Sequence, residues 1–353
     1  MLRSVRISTI PFAALATSSL ALAGAVALLL SSGIAFGQDN PPRIMLQDPT
    51  LDNLVDPPGY LTSKLGTLGG IKAVGRGSQA MILIPGLGFG GEIFDELMER
   101  WKDRYRMYAV TLAGFGGTAA PPSPARDVSF GNQTWTNGAL QAIEDLVRRE
   151  KVERPIIVGH WLTGTQLALR LAVNHPHDTR AVIILAGSAR FVVRDPKGDL
   201  MYPPLDQRVA AQDRHFGPRW FATVTRETWD DNNFMPADYA INPVRGLRLW
   251  RQAARPPLHV WVRYLCEFNA QDVANQLDKP TMPVLVAKPG VENDASNPRK
   301  NYMHTYTHDS WDGPRPANPK IQFVTLPDSR ACPWFDQPDR LDAVVDEFLK
   351  GAR

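Results

Sequence analysis

Cysteine is scarce in this sequence, and so is any excess of charge of one sign. Cys266 and Cys332 are the only cysteines among 353 residues, which excludes a disulfide-rich scaffold and a cysteine-rich zinc site. In an oxidising compartment the two could form one disulfide. The 39 Lys and Arg residues nearly balance the 36 Asp and Glu residues, and no long basic run occurs, so a nucleic-acid partner is not expected. With 44% apolar and 21% charged residues, the composition is that of a globular protein.

The beginning of the chain differs in composition from the rest. Arg3 and Arg6 form a short basic region, a long apolar run without acidic residues follows, and the run closes on Ala35-Phe36-Gly37. This order predicts a signal peptide over residues 1–37, cleavage before Gln38, and an exported protein, periplasmic or extracellular. The alternative is an uncleaved anchor, because the apolar run is long enough to span a bilayer. Contact with a membrane is expected only if this segment is retained.

The mature chain begins with a leader and then shows a regular alternation. Residues 38–60 are rich in Pro, Asp and Gly and are expected to be exposed. From residue 61 onward, short apolar runs alternate with segments of helical spacing. The apolar runs predict strands at residues 80–84, 107–112, 155–158, 181–185, 282–287 and 321–326. The helical spacing predicts helices at residues 92–104, 135–149, 165–173 and 341–349.

This alternation predicts an α/β fold with a mostly parallel sheet covered by helices on both faces. Ligands of such sheets bind at the carboxyl ends of the strands. A polar stretch, residues 188–278, separates two predicted strands and is expected to be an inserted cap. Its tryptophans have two interpretations, a core for the cap or the wall of an apolar pocket beneath it. These tryptophans are Trp220, Trp229, Trp250 and Trp261.

Four segments, in this order, resemble the motif segments of the α/β-hydrolase superfamily. The first resembles the strand and oxyanion turn, the second a glycine-rich turn, the third the turn that carries the nucleophile, and the fourth the last strand with the histidine loop. The segments are residues 82–88, 112–118, 157–164 and 326–338. The resemblance extends over residues 61–353 and implies a capped α/β-hydrolase fold of the alpha/beta hydrolase-1 type.

The resemblance places a tryptophan where the superfamily has its nucleophile. The nucleophile turn has the pattern Gly-x-nucleophile-x-Gly, with Ser, Asp or Cys at its tip. Here the segment beginning at Gly159 puts Trp161 at the tip, and Thr163 replaces the second glycine, with Gly164 following. An indole has no group that can be activated for attack, so Trp161 cannot form a covalent intermediate.

The catalytic histidine is missing as well. Counting back seven residues from Pro338, where superfamily members usually carry it, reaches Ala331. The loop has no imidazole in any register, because none of the seven histidines lies beyond residue 308. They are His160, His175, His177, His215, His259, His304 and His308. Asp294 is the equivalent of the triad acid, and its ordinary interpretation is a turn aspartate.

The remaining site residues follow from the same resemblance. The backbone amides of Leu87 and Leu162 are expected at the oxyanion position, and Gly86, His160 and Trp161 are expected to line the pocket. His160 is expected to be a packed structural histidine.

Few neighbouring residues could replace the missing nucleophile and histidine. Thr163, Ser329 and Cys332 are the nearest nucleophile types, and structural roles are expected for Thr163 and Cys332. His304 and His308, with Asp309 or Asp312, form a weak metal-ligand pattern, so no metal is expected. No nucleotide-binding motif occurs in context, and no cofactor is expected.

These residues leave three hypotheses open. The first is an exported, non-hydrolytic α/β-hydrolase-fold protein, a pseudoenzyme or a binding module for a small apolar ligand, as the gibberellin receptors and neuroligins of the superfamily are non-hydrolytic. The alternative is a divergent hydrolase with a rewired site, acting on a small apolar ester, lactone or related substrate. The third is a hydrolase copy that has lost its function. A protein partner is not indicated by the sequence.

Overall fold

The computed structural model describes residues 67–352 except 126, 196, 198, 226, 227, 230–233, 295–297 and 314. The predicted signal peptide and leader, residues 1–60, lie outside the described residues. Among the described helices, none is long and apolar enough to cross a membrane.

A seven-stranded sheet forms the centre of the fold, in the order β1-β3-β2-β4-β5-β8-β9. Strand β1 pairs antiparallel with β3, and the other neighbours are parallel. These strands are β1 (Leu68–Val74), β2 (Gln79–Ile84), β3 (Tyr105–Leu112), β4 (Ile156–His160), β5 (Ala181–Leu185), β8 (Val284–Pro289) and β9 (Ile321–Leu326). A separate two-stranded ribbon is formed by β6 (Val193–Arg194) and β7 (Leu200–Met201).

The central strands are buried along their length. Their sequences are continuous apolar runs for that reason. Every residue of β4 and β5 is buried, as is all of β2 after Gln79. Parallel strands covered on both faces have this composition. The six predicted strands are present, with ends shifted by a few residues. Strand β1 was not predicted, because its sequence contains Gly69 and Gly70 and alternates in burial at the edge of the sheet.

Helices before the cap connect the first strands. They are the 3-10 turn Gly91–Phe94, α1 (Asp95–Trp101), α2 (Thr134–Arg149) and α3 (Trp161–Asn174). The predicted helix at 92–104 is therefore a 3-10 turn followed by a short α-helix. Helix α3 begins four residues before the predicted start at 165, directly at the end of β4.

A cap-like helical insertion lies between β5 and β8, where the sequence predicted one. It contains α4 (Leu205–Ala211), a π-helical turn (Gln212–Phe216), α5 (Gly217–Thr223), α6 (Pro236–Tyr239), α7 (Pro243–Ala253), α8 (Leu258–Asn269) and the 3-10 turn Val273–Gln276.

The C-terminal part completes the sheet and its covering helices. After β8 come α9 (Pro298–His304), a π-helical turn (Thr305–Asp309) and α10 (Ser310–Asp312), and after β9 come α11 (Pro333–Asp336) and α12 (Pro338–Gly351). The predicted closing helix at 341–349 thus begins at Pro338, a residue suited to the first turn of a helix.

Candidate functional site

The turn between β4 and α3 has the backbone conformation of a nucleophile elbow. Trp161, the first residue of α3, has φ of 51°, in the left-handed region that non-glycine residues rarely occupy. A bulky residue there costs about 1–3 kcal/mol unless its surroundings compensate. The turn therefore depends on packing around Trp161.

Two glycines allow α3 to lie close to the strands. A Cβ on Gly159 would come within 2.5 Å of the Ala168 methyl, and one on Gly164 within 2.5 Å of the Pro85 carbonyl oxygen. Glycine is needed at both positions because no side chain fits. Gly164 is thus the glycine after the elbow tip that allows close packing. Thr163, the residue before it, is fully buried, and its hydroxyl has no partner among the described residues.

The Trp161 side chain fills the space above the elbow. It is 1% exposed, and its ring meets Phe234 edge-on at 4.9 Å between centroids and lies 6.5 Å from Tyr306. On the sheet side it packs on Gly86, where a Cβ would overlap the Trp161 Cβ. A buried indole N–H usually finds a hydrogen-bond partner. Among the described residues, however, the Trp161 Nε1–H has no acceptor.

An aromatic cluster covers the indole from the cap and the C-terminal part. Phe234 stacks on Tyr302 at 4.9 Å, and the Tyr302 hydroxyl donates to that of Tyr306 at 3.1 Å. Phe268 stacks on Tyr306 from the other side. Burial raises the pKa of the Tyr306 phenol, which is 4% exposed, so this phenol stays protonated at neutral pH. Tyr302 is the exposed member of the cluster, at 40%.

His160 joins three parts of the site. Its Nδ1 accepts from the Gly86 amide at 3.3 Å, and its Nε2–H donates to the Ala331 carbonyl at 3.0 Å. Three aromatic rings surround it, at 5.9 Å, 6.0 Å and 4.8 Å between centroids, from Phe89, Phe94 and Trp334. Full burial lowers its pKa from 6.5 to about 3, so the ring is neutral and both nitrogens are occupied.

The loop after β9 presents a methyl group where the resemblance implies an imidazole. Ala331 is 1% exposed, and its amide donates to the Asp238 carbonyl at 3.0 Å. The next amide, that of Cys332, donates to the Tyr239 carbonyl at 3.2 Å. These two bonds attach the loop to α6 of the cap. Leu87 and Leu162, the expected oxyanion residues, are both buried beside the elbow, and Leu162 is the second residue of α3.

Three features of the fold agree with one known family. They are the order of the strands in the sheet, the elbow turn at the end of β4 and the cap before β8. The model of the alpha/beta hydrolase family matches residues 81–344. The chain belongs to the alpha/beta hydrolase family.

Individual members of the alpha/beta hydrolase family resemble this one at low identity. The chain is 22% identical over 283 residues to a pimeloyl-(acyl-carrier protein) methyl ester esterase of Aeromonas hydrophila, covering 79% of this chain and 98% of that enzyme. Its fold is similar to that of an enol-lactonase from Burkholderia xenovorans, with 14% identity, a TM-score of 0.54, and 82% and 99% of the two chains covered. It is equally similar to an esterase from Exiguobacterium antarcticum, with 14% identity, a TM-score of 0.54, and 81% and 99% covered.

Asp294, which the resemblance aligns with the triad acid, follows β8 (Val284–Pro289) in the sequence. It lies in the loop after that strand and is half-buried. At the position that the resemblance gives to the histidine, Ala331 has no ring for a carboxylate to orient.

The two cysteines of this alpha/beta hydrolase are separate buried thiols. Both are free, so the disulfide considered from the sequence is absent. The Cys332 Sγ lies 3.9 Å from His160 Nε2, which resembles a Cys–His pair. Burial, however, raises the pKa of the Cys332 thiol well above its usual range and lowers that of His160, so burial favours the neutral form of both groups.

The histidine pair considered as a metal site is part of an ion-pair network. His304 and His308 stack at 4.5 Å, and His304 Nδ1 lies 3.2 Å from the Asp309 carboxylate without hydrogen-bond geometry. Asp309 is already engaged by Arg194 and by the Thr305 hydroxyl at 2.9 Å. Within the described residues no group of three or more His, Cys, Asp or Glu side chains could hold a metal ion.

A cavity of about 360 Å³ lies in the cap, lined by Trp229 and residues 254–258 among others. Trp261 packs over the oxyanion turn, with its Cζ2 3.0 Å from where a Cβ on Gly88 would be. Trp229 meets Trp261 edge-on at 5.3 Å and lines the cavity. Trp229, Trp250 and Trp261 are therefore buried core residues of the cap, and Trp229 also lines a cavity within the cap itself.

Sequence reasoning missed the aromatic residues that enclose Trp161. Phe234, Tyr302 and Tyr306 come from segments far from the elbow in the sequence, and no local pattern relates them to it. A tyrosine pair four residues apart after the triad acid was a usable signal, because such spacing places two rings on one helical face.

Proposed function

We propose that this alpha/beta hydrolase family protein is non-hydrolytic and serves as an exported binding module for a small apolar molecule. The observation that carries the proposal is the burial of Trp161 at the elbow tip, 1% exposed beneath an aromatic cluster. An acyl-enzyme needs an ionisable nucleophile at that position and a base beside it, and this chain offers an indole and a methyl group there.

Among the described residues, the nearest candidate groups in the sequence are each engaged or buried. The Ser329 hydroxyl donates to the Leu326 carbonyl at 2.8 Å and is buried, and Thr163 is buried within α3. Cys332 and His160 are held neutral by burial. Loss of a nucleophile and its base together removes about 10⁶-fold in kcat from a serine hydrolase.

The second candidate is a divergent hydrolase with a rewired site for a small apolar ester or lactone. Its support is the similarity to proteins named as esterases and an enol-lactonase. It requires a nucleophile outside the elbow tip, for which Thr163 and Ser329 are the nearest hydroxyl candidates in the sequence.

The test is a fluorophosphonate labelling experiment beside a panel of short-chain esters and lactones, with the Trp161→Ala variant as matched control. We expect no label and no turnover above the buffer rate in either protein. Label mapped by peptide mass spectrometry to Thr163 or Ser329, or turnover that survives in Trp161→Ala, would establish the hydrolase instead. Mass spectrometry of organic extracts of the purified protein then searches for a retained apolar molecule.

A further inference from the structure

The outer side of helix α7 (Pro243–Ala253) carries a row of arginines that continues just beyond the end of the helix. Arg248, Arg251 and Arg255 follow one another at spacings of three and four residues, which places them on one side of the helix. We call these three arginines the basic row, of which Arg248 and Arg255 are exposed. The residues that α7 buries lie on the opposite side and are Gly246, Leu249, Trp250 and Ala253.

The positive charge of the basic row is not balanced by acidic residues nearby in the sequence. No Asp or Glu occurs from residue 239 to residue 266. The other two arginines of this stretch have partners, since Arg245 pairs with a glutamate of α1 at 2.6 Å and Arg263 forms a buried ion pair within α8. Among the described residues, Arg248 and Arg255 have no carboxylate partner. The outer side of α7 therefore favours an anionic partner.

Apolar surface lies at both ends of the basic row. Beyond Arg248, Val244 is 77% exposed and Ile241 is 47% exposed. Beyond Arg255 is the open cavity of the cap, whose apolar lining residues include Val224, Trp229, Pro256 and Leu258. Exposed apolar surface of this kind often marks a contact site. The partner that fits this surface is acidic and apolar at once.

The chain itself contains a segment of that composition. Residues 38–66, which precede the described residues, carry four aspartates against one arginine and one lysine. Three of the aspartates recur at every fourth residue, and apolar residues lie between them. They are Asp48, Asp52 and Asp56, with Leu51, Leu54 and Val55 between. The segment is thus complementary in charge to the basic row.

The described chain begins at the edge of the sheet that the cap covers. Leu68, the first residue of β1, pairs with Leu112, the last residue of β3, so β1 starts where the parallel strands end. The next residue, Gly69, lies against Thr118, because a Cβ on Gly69 would be 2.2 Å from the Thr118 Oγ1. The segment before residue 67 therefore joins the fold beside the loop that contains Thr118.

That loop contacts α8 next to the cavity. The Thr118 hydroxyl accepts from the Gly114 amide at 3.1 Å, and a Cβ on Gly114 would be 2.6 Å from the Val260 Cγ1. Val260 is two residues from Leu258 of the cavity lining. Ten extended residues span about 33 Å, and α7 is about 16 Å long, so residues 48–56 can reach the whole basic row.

From the charge of the two partners and the place where β1 begins, we propose that residues 38–66 dock on the cap of their own chain. The aspartates lie against the basic row, and the apolar residues between them lie over the cavity and against Val244. The segment thereby covers apolar surface that the rest of the chain leaves open. This docking does not depend on whether the elbow is catalytic.

The experiment is photo-crosslinking within the exported protein, with p-benzoylphenylalanine in place of Leu54. Peptide mass spectrometry of the cross-linked monomer identifies the segment that residue 54 contacts. We expect cross-links to residues 241–258, and we expect them to disappear in denaturant.

Charge reversal then tests the basic row. Arg248→Glu together with Arg255→Glu should lower the yield of these cross-links about tenfold, because attraction between exposed charges is replaced by repulsion. Adding Asp52→Lys and Asp56→Lys to that variant should restore the yield, because the opposite charges face each other again.

The matched control reverses two exposed arginines at the opposite edge of the sheet. Arg76 and Arg154 lie in the loops before β2 and β4. Arg76→Glu together with Arg154→Glu should leave the cross-link yield unchanged.

The proposal is overturned if no cross-links form, if they fall outside residues 241–258, or if they join two copies of the chain. It is also overturned if the two pairs of arginine variants behave alike or if the added lysines fail to restore the yield. Ester turnover by the same preparation would contradict the proposed function and leave this docking unaffected.

Discussion

Trp161 combines a left-handed backbone, near-complete burial and an unpaired indole N–H among the described residues. Each of these is unfavourable by itself. The compensation comes from contact with Phe234, Tyr306 and the bare backbone of Gly86. At the residue scale, the conformation of the elbow is therefore stabilised by packing around the indole.

Trp161→Ser should destabilise the protein by about 3 kcal/mol or more, because a large buried side chain is replaced by a small one and a cavity remains. Chemical denaturation of the variant beside the parent measures this. Trp220→Ser, at a partly buried tryptophan of the cap, is the control and should cost less. No esterase activity should appear, since Ala331 stands where the resemblance places the catalytic histidine. An unchanged unfolding midpoint would contradict the structural role of the indole.

His160 makes stability depend on pH. Its folded-state pKa of about 3 lies below the ordinary 6.5, so between these values the unfolded chain binds a proton that the folded chain does not. Its contribution is complete above pH 6.5 and should be lost as the pH falls toward 3, by about 1.4 kcal/mol per pH unit. Burial also lowers the pKa of His308 to about 4, in the same direction.

The measurement is the free energy of unfolding at several pH values between 7 and 4. His160→Gln should reduce its slope against pH by about one proton, whereas His215→Gln, an exposed histidine of the cap, should leave the slope as it is. Equal slopes for parent and His160→Gln would show that the ring takes up its proton as readily in the folded state as in the unfolded one.

At the scale of elements, the cap is joined to the sheet domain through a buried carboxylate. Glu267 of α8 is fully buried and accepts from the Trp135 and Thr136 amides at 3.0 and 2.7 Å. It also accepts from Arg263 Nε at 2.9 Å. The Glu267 carboxylate thereby accepts hydrogen bonds from the first amides of α2, although it belongs to α8. The N-cap residue of α2 makes no such side-chain bond.

Glu267→Gln should destabilise the protein by about 3–5 kcal/mol, because it leaves Arg263 buried without its counter-charge. The matched control is Glu347→Gln in the exposed Lys350–Glu347 pair, for which we expect less than about 1 kcal/mol. Urea denaturation of both variants gives the comparison. A similar cost for the two would mean that burial adds nothing to the importance of Glu267.

At the scale of the whole molecule, the predicted export segment determines where the mature chain begins. We expect protein recovered from the extracellular or periplasmic fraction to start at or near Gln38, because small residues and an apolar run precede it. N-terminal sequencing checks this. Recovery of Met1 or Leu2 in the membrane fraction would indicate an anchor instead.

The order of the strands and helices could be predicted because strands buried on both faces of the sheet have continuous apolar sequences. The strands β2, β4 and β5 are apolar throughout, and each is followed by glycine or by helical spacing, so the sheet and its class follow from local sequence. Edge strand β1 is half-exposed and glycine-containing, and its pairing with β3 depends on a partner about forty residues away. Such a strand has no comparable local pattern.

The amino-acid sequence alone predicted, through its resemblance to the family's motif segments, that Trp161 and Ala331 occupy the positions of a nucleophile and a base, because those segments are local stretches of the chain. Only the tertiary structure decided what surrounds them. Phe234, Tyr306 and the bond from His160 to the Ala331 carbonyl come from segments distant in sequence. Burial, and with it each pKa and each unpaired donor, is a property of three-dimensional packing that no single segment contains.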